Sequence, residues 1–465
     1  MENKSCDLLI IGAGPGGQAA ALEAAGLGLR VVMAEGRELG GVCLNRGCIP
    51  TKTLLHTAAL LKECQEARTY GLSLKEAQAD IPALFQRKDA VLAQLRQGLA
   101  AQLKKAGVEL MYGQATVLGP GLARLISAEQ GQELTLRAKN ILIATGSRPS
   151  LPPIPGLDLP GVLDSDGILA AAQNYQSLTI IGGGVIGLEM AAVYAALGCR
   201  VTVLEALERV LANFDQEISQ HMAVQLKKDG IKTYTGARLS RVRQAPDGLE
   251  CCFEHKGKEL AVSSQAVLVA TGRCANSRGL FAPELDFQLE RGYIPVDGGF
   301  ATALPGVYAI GDVALGSLQL AHVAAAQGVN AVRLMQGLDP QYDLSVLPAC
   351  VYTSPEIASV GLTPDQARQQ GLELLTGRAS SLANGRNLIE NGGRGFCRLV
   401  FDKGSRVLVG VQLMCPRASD IICGLADGVT AGLTLNQLAA TVRPHPSFGE
   451  LVGEAVRDAL ACALD

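Results

Sequence analysis

The sequence predicts an α/β protein containing two Rossmann-like dinucleotide-binding domains, and three observations lead there. A strand, glycine turn, helix and strand occur in that order twice. Each copy closes on a glutamate at the same distance from its first glycine, and each is followed by a buried-type strand running into Ala-Thr-Gly. With 465 residues, the chain is too long for one core and divides into about three or four domains.

The first unit is DLLIIGAGPGGQAAALEAAGLGLRVVMAE, from Asp7. Gly12, Gly14 and Gly17 form GxGxxG at the strand end, and Glu35 closes the second strand. The second is LTIIGGGVIGLEMAAVYAALGCRVTVLE, with Gly182, Gly184, Gly187 and Glu205. In both, the acid comes 23 positions after the first glycine. Such glycines allow a tight turn and let backbone approach a pyrophosphate at the helix N-terminus. The acid can accept hydrogen bonds from a ribose diol. One GxGxxG alone could merely pack a helix on a sheet, but strand, helix and acid fall in place twice. ILIATGSRP and VLVATGR, holding Ala144 to Gly146 and Ala270 to Gly272, read as the last strand of each unit. Two nucleotide sites in one chain suggest a flavin and a nicotinamide exchanging electrons. A carboxylate at Glu205 favours the 2′-hydroxyl of NAD and repels the 2′-phosphate of NADP. Ala206 and Leu207 supply no arginine for a phosphate, and Arg209 is the nearest.

Between these landmarks lies GGVCLNRGCIPTK, Gly40 to Lys52, with Cys43 and Cys48 five residues apart. As a structural staple, so short a loop would contribute about 2 kcal/mol and join nothing distant. As half a metal site it lacks a second Cys or His pair at ligand spacing, so no metal is expected. As a redox pair it fits. An ideal helix holds i and i+5 about 8–9 Å apart, too far for a disulfide. The segment therefore leaves regular helix between the cysteines, which Gly47 permits. Pro50 suits the start of a helix whose positive end favours a thiolate at Cys48.

Composition narrows the rest. With 48% hydrophobic and 18% charged residues the chain is globular, and a net charge of −3 gives no polyanion footprint, so no nucleic acid is expected. Leu8 to Ile11 is the only uninterrupted large-apolar run near the N-terminus, too short for a signal-peptide core or a membrane span. A cytoplasmic protein with no membrane partner is expected, a processed organelle protein being the alternative. Thirteen cysteines, an odd number in a long chain, do not form a disulfide framework. Cys199, Cys350, Cys397 and Cys415 read as buried free thiols, and Cys251 and Cys252 point to opposite faces of one strand.

GGVCLNRGCIPTKTLL with its flanking double Rossmann pattern resembles the class I pyridine nucleotide–disulfide oxidoreductases over essentially the whole chain. The resemblance implies a C-terminal α+β dimerisation domain beside the two Rossmann-like domains. FAD-binding would occupy 1–148, NAD-binding 149–273, a central FAD-contacting segment 274–345, and the interface domain 346–465. Electrons pass in this family from a dithiol substrate to the cysteine pair, then to FAD, then to NAD. Cys43 matches the thiol that exchanges with substrate, and Cys48 the flavin-side thiol that forms a charge-transfer complex. Lys52 matches the lysine near flavin N5, with Glu189 in GVIGLE as its ion-pair partner; a buried lysine needs one to stay charged.

RPHPSFGE matches the family's HxHPxxxE, making His445 the acid–base and Glu450 its orienting partner. An imidazole suits a step in which a thiol must lose a proton to attack. In the family this loop reaches the other subunit, implying an obligate homodimer. GVYAIGDVALGSLQLAH matches the second FAD segment, with Asp312 on the ribityl chain and Ala321 and His322 near the flavin pyrimidine. Gly113, Gly146, Ile186 and Gly272 complete the cofactor-binding set. VYTSPEIASVGLT, from Val351, and ANGR, Ala383 to Arg386, match the dimerisation domain. Two positions depart: Arg443 stands where many relatives have the first His, and Gln327 where a Glu is common.

Within the family, mercuric and large thioredoxin reductases use an extra C-terminal redox pair, whereas this chain ends ALACALD with the single Cys462. Glutathione reductases prefer NADPH, which Glu205 opposes, and a soluble transhydrogenase would lack the pair. That leaves dihydrolipoamide, carried on a lipoyl-bearing acyltransferase or a glycine-cleavage carrier protein. A non-catalytic flavoprotein, sensor or scaffold, is the alternative outside the enzymes.

Overall fold

The computed structural model describes residues 2–128 and 131–463. Its first sheet is built around Glu2–Ile11, which pairs in parallel with Val31–Glu35 on one side and Glu133–Ile143 on the other. Glu109–Gly119 extends one edge, and Val307–Ala309 returns from far along the chain to complete the other. Leu8, Leu9, Ile10 and Met33 are buried, as expected of parallel strands covered on both faces. Glu109–Gly119 outruns this parallel core, and its far portion pairs antiparallel with Leu122–Ser127, which pairs antiparallel in turn with the start of Glu133–Ile143.

The second unit repeats the parallel plan. Lys232–Thr235, Arg200–Glu205, Ser177–Ile181, Ala266–Val269 and Val162–Leu163 lie side by side in that order. A three-stranded antiparallel sheet, Arg238–Ala245, Gly248–His255 and Lys258–Ser264, is inserted before the last Rossmann strand. The chain crosses between the two units twice, and the crossings pair as a short ribbon of Ser147–Pro149 against Arg273–Ala275.

The C-terminal part is a five-stranded antiparallel sheet in the order Ala349–Val351, Glu356–Gly361, Leu408–Cys415, Phe396–Asp402 and Leu374–Ser380. The helix Glu450–Cys462 covers it with Leu451, Val452, Ala455, Val456 and Ala459, one apolar stripe at helical spacing. Asp215 and Glu217, at the start of the helix Gln216–Lys228, pair with Arg398 and Arg378 of this sheet and tie it to the second unit. Among the described residues, no helix is long and apolar enough to cross a membrane.

Candidate active site

The two glycine turns are built alike. Gly12 and Gly182 adopt φ of +108° and +111°, where L side chains rarely go. A Cβ on either would stand 2.4 Å from the carbonyl oxygen of Ala144 or Ala270, the residues that open the two Ala-Thr-Gly turns. A Cβ on Gly17 or Gly187 would stand 2.0 Å from the oxygen of Gly12 or Gly182, so helix and strand meet backbone to backbone. The helices that follow, Pro15–Gly26 and Val185–Ala196, start without a side-chain cap and leave their first N–H groups open.

The two acids are held alike as well. Glu35 accepts from the N–H of Ala13 and of Arg37, both at 2.7 Å. Glu205 accepts from the N–H of Gly183 at 2.6 Å and of Leu207 at 2.7 Å. One N–H per carboxylate oxygen fixes each group and leaves lone pairs for further donors. Arg209 turns its guanidinium to the carbonyl of Ala212 at 2.8 Å.

A single cavity of about 2370 Å³ runs along both cradles and is lined by Glu35, Glu205, Asp312 and both cysteines among others. A pocket for one small ligand is about 300–1,000 Å³, so this one has room for two extended cofactors. Gly113, Gly146, Ile186, Gly272 and Ala321 also line it. Open helix ends, anchored carboxylates and Cβ-free turns are the features that dinucleotides require, and the residues fit FAD and NAD.

Between the cradles the chain forms two helices, Gly41–Arg46 and Cys48–Gln65, broken at Gly47, whose φ and ψ of −145° and −108° are non-helical. Cys43 lies before the break and Cys48 is the first residue after it. Both are free thiols. They hydrogen-bond to each other, with Cys43 as donor. That bond lowers Cys48 and raises Cys43 from the ordinary thiol range; burial opposes the first shift and adds to the second. The Lys52 charge, one turn along the same helix, lowers Cys48 further.

Lys52 Nζ sits 2.9 and 2.8 Å from the two oxygens of Glu189, which is only 2% exposed. The N–H of Tyr352 donates to the same carboxylate at 3.0 Å, and the Tyr352 ring lies 4.5 Å beneath Nζ. Sequence reading did not single out Tyr352; its only signal was its place in VYTSPE. Asp312 accepts from Ser147 Oγ at 2.5 Å, and Ser147 Oγ accepts from Arg273 Nε at 2.7 Å. Gln327 Oε1 accepts from the N–H of Gly311 at 2.7 Å, bracing the turn before Asp312. Ala321 begins the helix Ala321–Met335, and His322 Nε2 donates to the Pro348 carbonyl at 2.8 Å.

His445 and Glu450 lie outside this cavity. His445 Nδ1 donates to Glu450 Oε1 at 2.9 Å, and Glu450 Oε2 accepts from the N–H of Ser447 at 2.9 Å. Those two bonds, the backbone one first, hold the Glu450 carboxyl below its ordinary range. With Nδ1 engaged, Nε2 faces outward on a side chain 78% exposed. Asn384, which the sequence offers only as part of ANGR with no role at the site, donates to the Ser447 carbonyl at 3.0 Å and anchors the loop from behind.

Two matched dinucleotide cradles on either side of a hydrogen-bonded dithiol define a flavin- and nicotinamide-dependent dithiol–disulfide oxidoreductase. Comparison with known proteins narrows the class. The model of the pyridine nucleotide-disulphide oxidoreductase family matches residues 6–328, and that of the family's dimerisation domain matches 347–456. A dihydrolipoyl dehydrogenase of Bacillus subtilis (strain 168) is 38% identical over 97% of each chain. One from Geobacillus stearothermophilus is 34% identical over 98% of this chain and 96% of its own. Among solved structures, LpdA of Mycobacterium tuberculosis superposes with a TM-score of 0.88 at 27% identity, covering 98% of this chain and 99% of that one. The chain belongs to the pyridine nucleotide-disulphide oxidoreductase family.

Proposed function

We propose that this chain is a dihydrolipoyl dehydrogenase acting as a homodimer in the cytoplasm. It oxidises the dithiol of a lipoyl group, carried on an acyltransferase or glycine-cleavage carrier protein, and delivers the two electrons to NAD⁺. The observation that carries this reading is the Cys43–Cys48 pair at a helix N-terminus beside the Lys52–Glu189 pair, in the cavity that joins the cradles. FAD belongs to the unit of Gly12, Gly14, Gly17 and Glu35, with Asp312 and Ala321; NAD belongs to that of Gly182, Gly184, Gly187 and Glu205. The chain divides accordingly at about 148, 273 and 345.

In the working direction Cys43 and Cys48 begin as a disulfide. One substrate thiol gives its proton to Nε2 of His445 in a second copy, whose Nδ1–H is fixed by Glu450. The resulting thiolate attacks Cys43, breaking the Cys43–Cys48 bond and releasing Cys48 as a thiolate. The helix N-terminus and Lys52 stabilise that thiolate, and the Cys43 thiol joins them once it is set free. The second substrate sulfur then attacks the first, closing the substrate disulfide and returning the bond's electron pair to Cys43. Cys43 takes up the proton the second thiol gives off, while His445 keeps the first. Bound FAD and NAD supply the acceptors that take the electron pair from the dithiol and carry it off as hydride. Glu189 holds Lys52 in place through both carboxylate oxygens, and the ammonium in turn partners a carboxylate that is itself buried.

The deciding assay is NAD-dependent oxidation of dihydrolipoamide by the FAD-loaded protein; no turnover there would sink the proposal. Cofactor choice is tested by Glu205→Ala. Losing a carboxylate aimed at a 2′-hydroxyl is expected to shrink the NAD-over-NADP ratio of kcat/KM by about tenfold or more. An unchanged ratio would move the discrimination elsewhere.

A further inference from the structure

Arg443 occupies the position at which the sequence departs from HxHP, and its surroundings are unusual for a charged loop residue. Its neighbour Val442 is 94% exposed, while the arginine itself is half-buried. All its hydrogen bonds go to main-chain carbonyls. Nη1 donates to Thr441 O at 3.1 Å, and both Nη atoms reach Leu438 O at 3.4 Å. Leu438 lies in the last turn of the short helix Leu435–Ala439, where carbonyls have no partner within the helix.

The stem of the same side chain crosses Gly453, in the first turns of the helix that begins at Glu450. A Cβ on Gly453 would lie 3.3 Å from Arg443 Cδ and 3.5 Å from Nη1. The guanidinium therefore caps one helix while its stem lies in a groove on the next. His445 comes two residues later, on the loop between them. The far end of that loop is tied by Asn384 and by the Ser447–Glu450 bond.

We propose that Arg443 is a positioning residue for the dithiol chemistry, a pin that holds the His445 loop in register with Glu450. This rests on the proposed function for its kinetic consequence, but the pinning can be read without substrate. Without the pin, the near end of the segment from Thr441 to Pro446 keeps only the 3.4 Å bond from the Thr441 hydroxyl to Gln437 O on the first helix, and loses the stem that crosses Gly453 on the second. The imidazole then loses the single orientation in which Nε2 points outward. A poorly placed proton acceptor costs rate in the step it serves and not in steps that bypass it.

The test compares the full-length FAD-loaded protein with Arg443→Ala, Arg443→Lys and Gly453→Ala. Arg443→Ala is expected to lower kcat for dihydrolipoamide by about tenfold or more, with a smaller change in KM. Oxidation of NADH by ferricyanide, which needs no proton acceptor at the dithiol, should stay at the parental rate. Arg443→Lys should recover part of the loss, and Gly453→Ala, which presses on the stem, should reproduce part of it. Nitrogen NMR of labelled histidine, tractable with five histidines in the chain, reads the His445 Nδ1–H bond to Glu450 directly. That signal should broaden or shift in Arg443→Ala. An unchanged kcat with an unchanged signal would overturn the inference, as would an equal loss of ferricyanide reduction. A parent protein that fails to oxidise dihydrolipoamide would overturn the functional reading, while the NMR comparison would still decide the pin.

Discussion

Cys48→Ser is expected to fold, take up FAD and oxidise NADH with ferricyanide, yet lose dihydrolipoamide oxidation by about four orders of magnitude or more. Thiol–disulfide exchange needs both sulfurs. Without Cys48 there is no bond for the substrate thiolate to break, and no thiolate to leave. Cys43→Ser should lose turnover as completely, so rate alone cannot assign the two roles. Absorption can. On two-electron reduction the parent should show a long-wavelength band from a thiolate lying against the flavin. Cys48→Ser should lack it, and Cys43→Ser, which has no disulfide to open, should show it before any reductant is added. The prediction follows from the asymmetry of the pair. Cys48 is the first residue of an 18-residue helix, accepts the Cys43 hydrogen bond, and has Lys52 one turn away. Cys43 sits on the far side of the break and is pushed up by that same hydrogen bond and by burial. A band that survived Cys48→Ser would mean the flavin-side sulfur had been assigned wrongly.

What could be read from the chain alone follows from how local each feature is. Gly12 and Gly182 announce themselves because a tight strand-to-helix turn admits no Cβ, and Glu35 and Glu205 because strand and helix lengths fix their distance from it. The interruption at Gly47 is legible for the opposite reason: five residues of regular helix would separate the two sulfurs beyond bonding. Other features depend on contacts between distant segments, which no local pattern encodes. Val307–Ala309 joins a sheet whose previous strand ended more than a hundred residues earlier. The three-stranded insert Arg238–Ser264 carries no signal of which sheet it will stand beside. Tyr352 reaches Lys52 and Glu189 only because the dimerisation sheet packs against the redox helix. Arg443 was visible as a departure, but its meaning depends on Gly453 and Leu438, which nothing in the pattern ties to it.

Hybrid dimers provide the sharpest test of where His445 works. His445→Gln alone should lower kcat for dihydrolipoamide by about 10²–10⁴-fold, the usual cost of removing a general base. Within one chain the His445–Glu450 pair lies outside the cavity that holds Cys43 and Cys48. Around it the same domain exposes Leu382, Leu388, Ile389 and Val442, apolar surface that a second copy would cover. If each site takes its cysteines from one chain and its histidine from the other, two inactive variants should repair each other. In a hybrid of Cys48→Ser with His445→Gln, one site lacks both groups and the other has both intact. Random pairing makes about half the dimers hybrid, and one site in two is whole, so mixing after dissociation should restore about a quarter of parental activity. If His445 instead served its own chain, every site in the hybrid would lack one group and no activity would return. Recovery near one quarter in a mixture, with neither variant active alone, requires a site shared between subunits. Such a site could not form in an isolated chain, which would make dimerisation part of the chemistry as well as of stability.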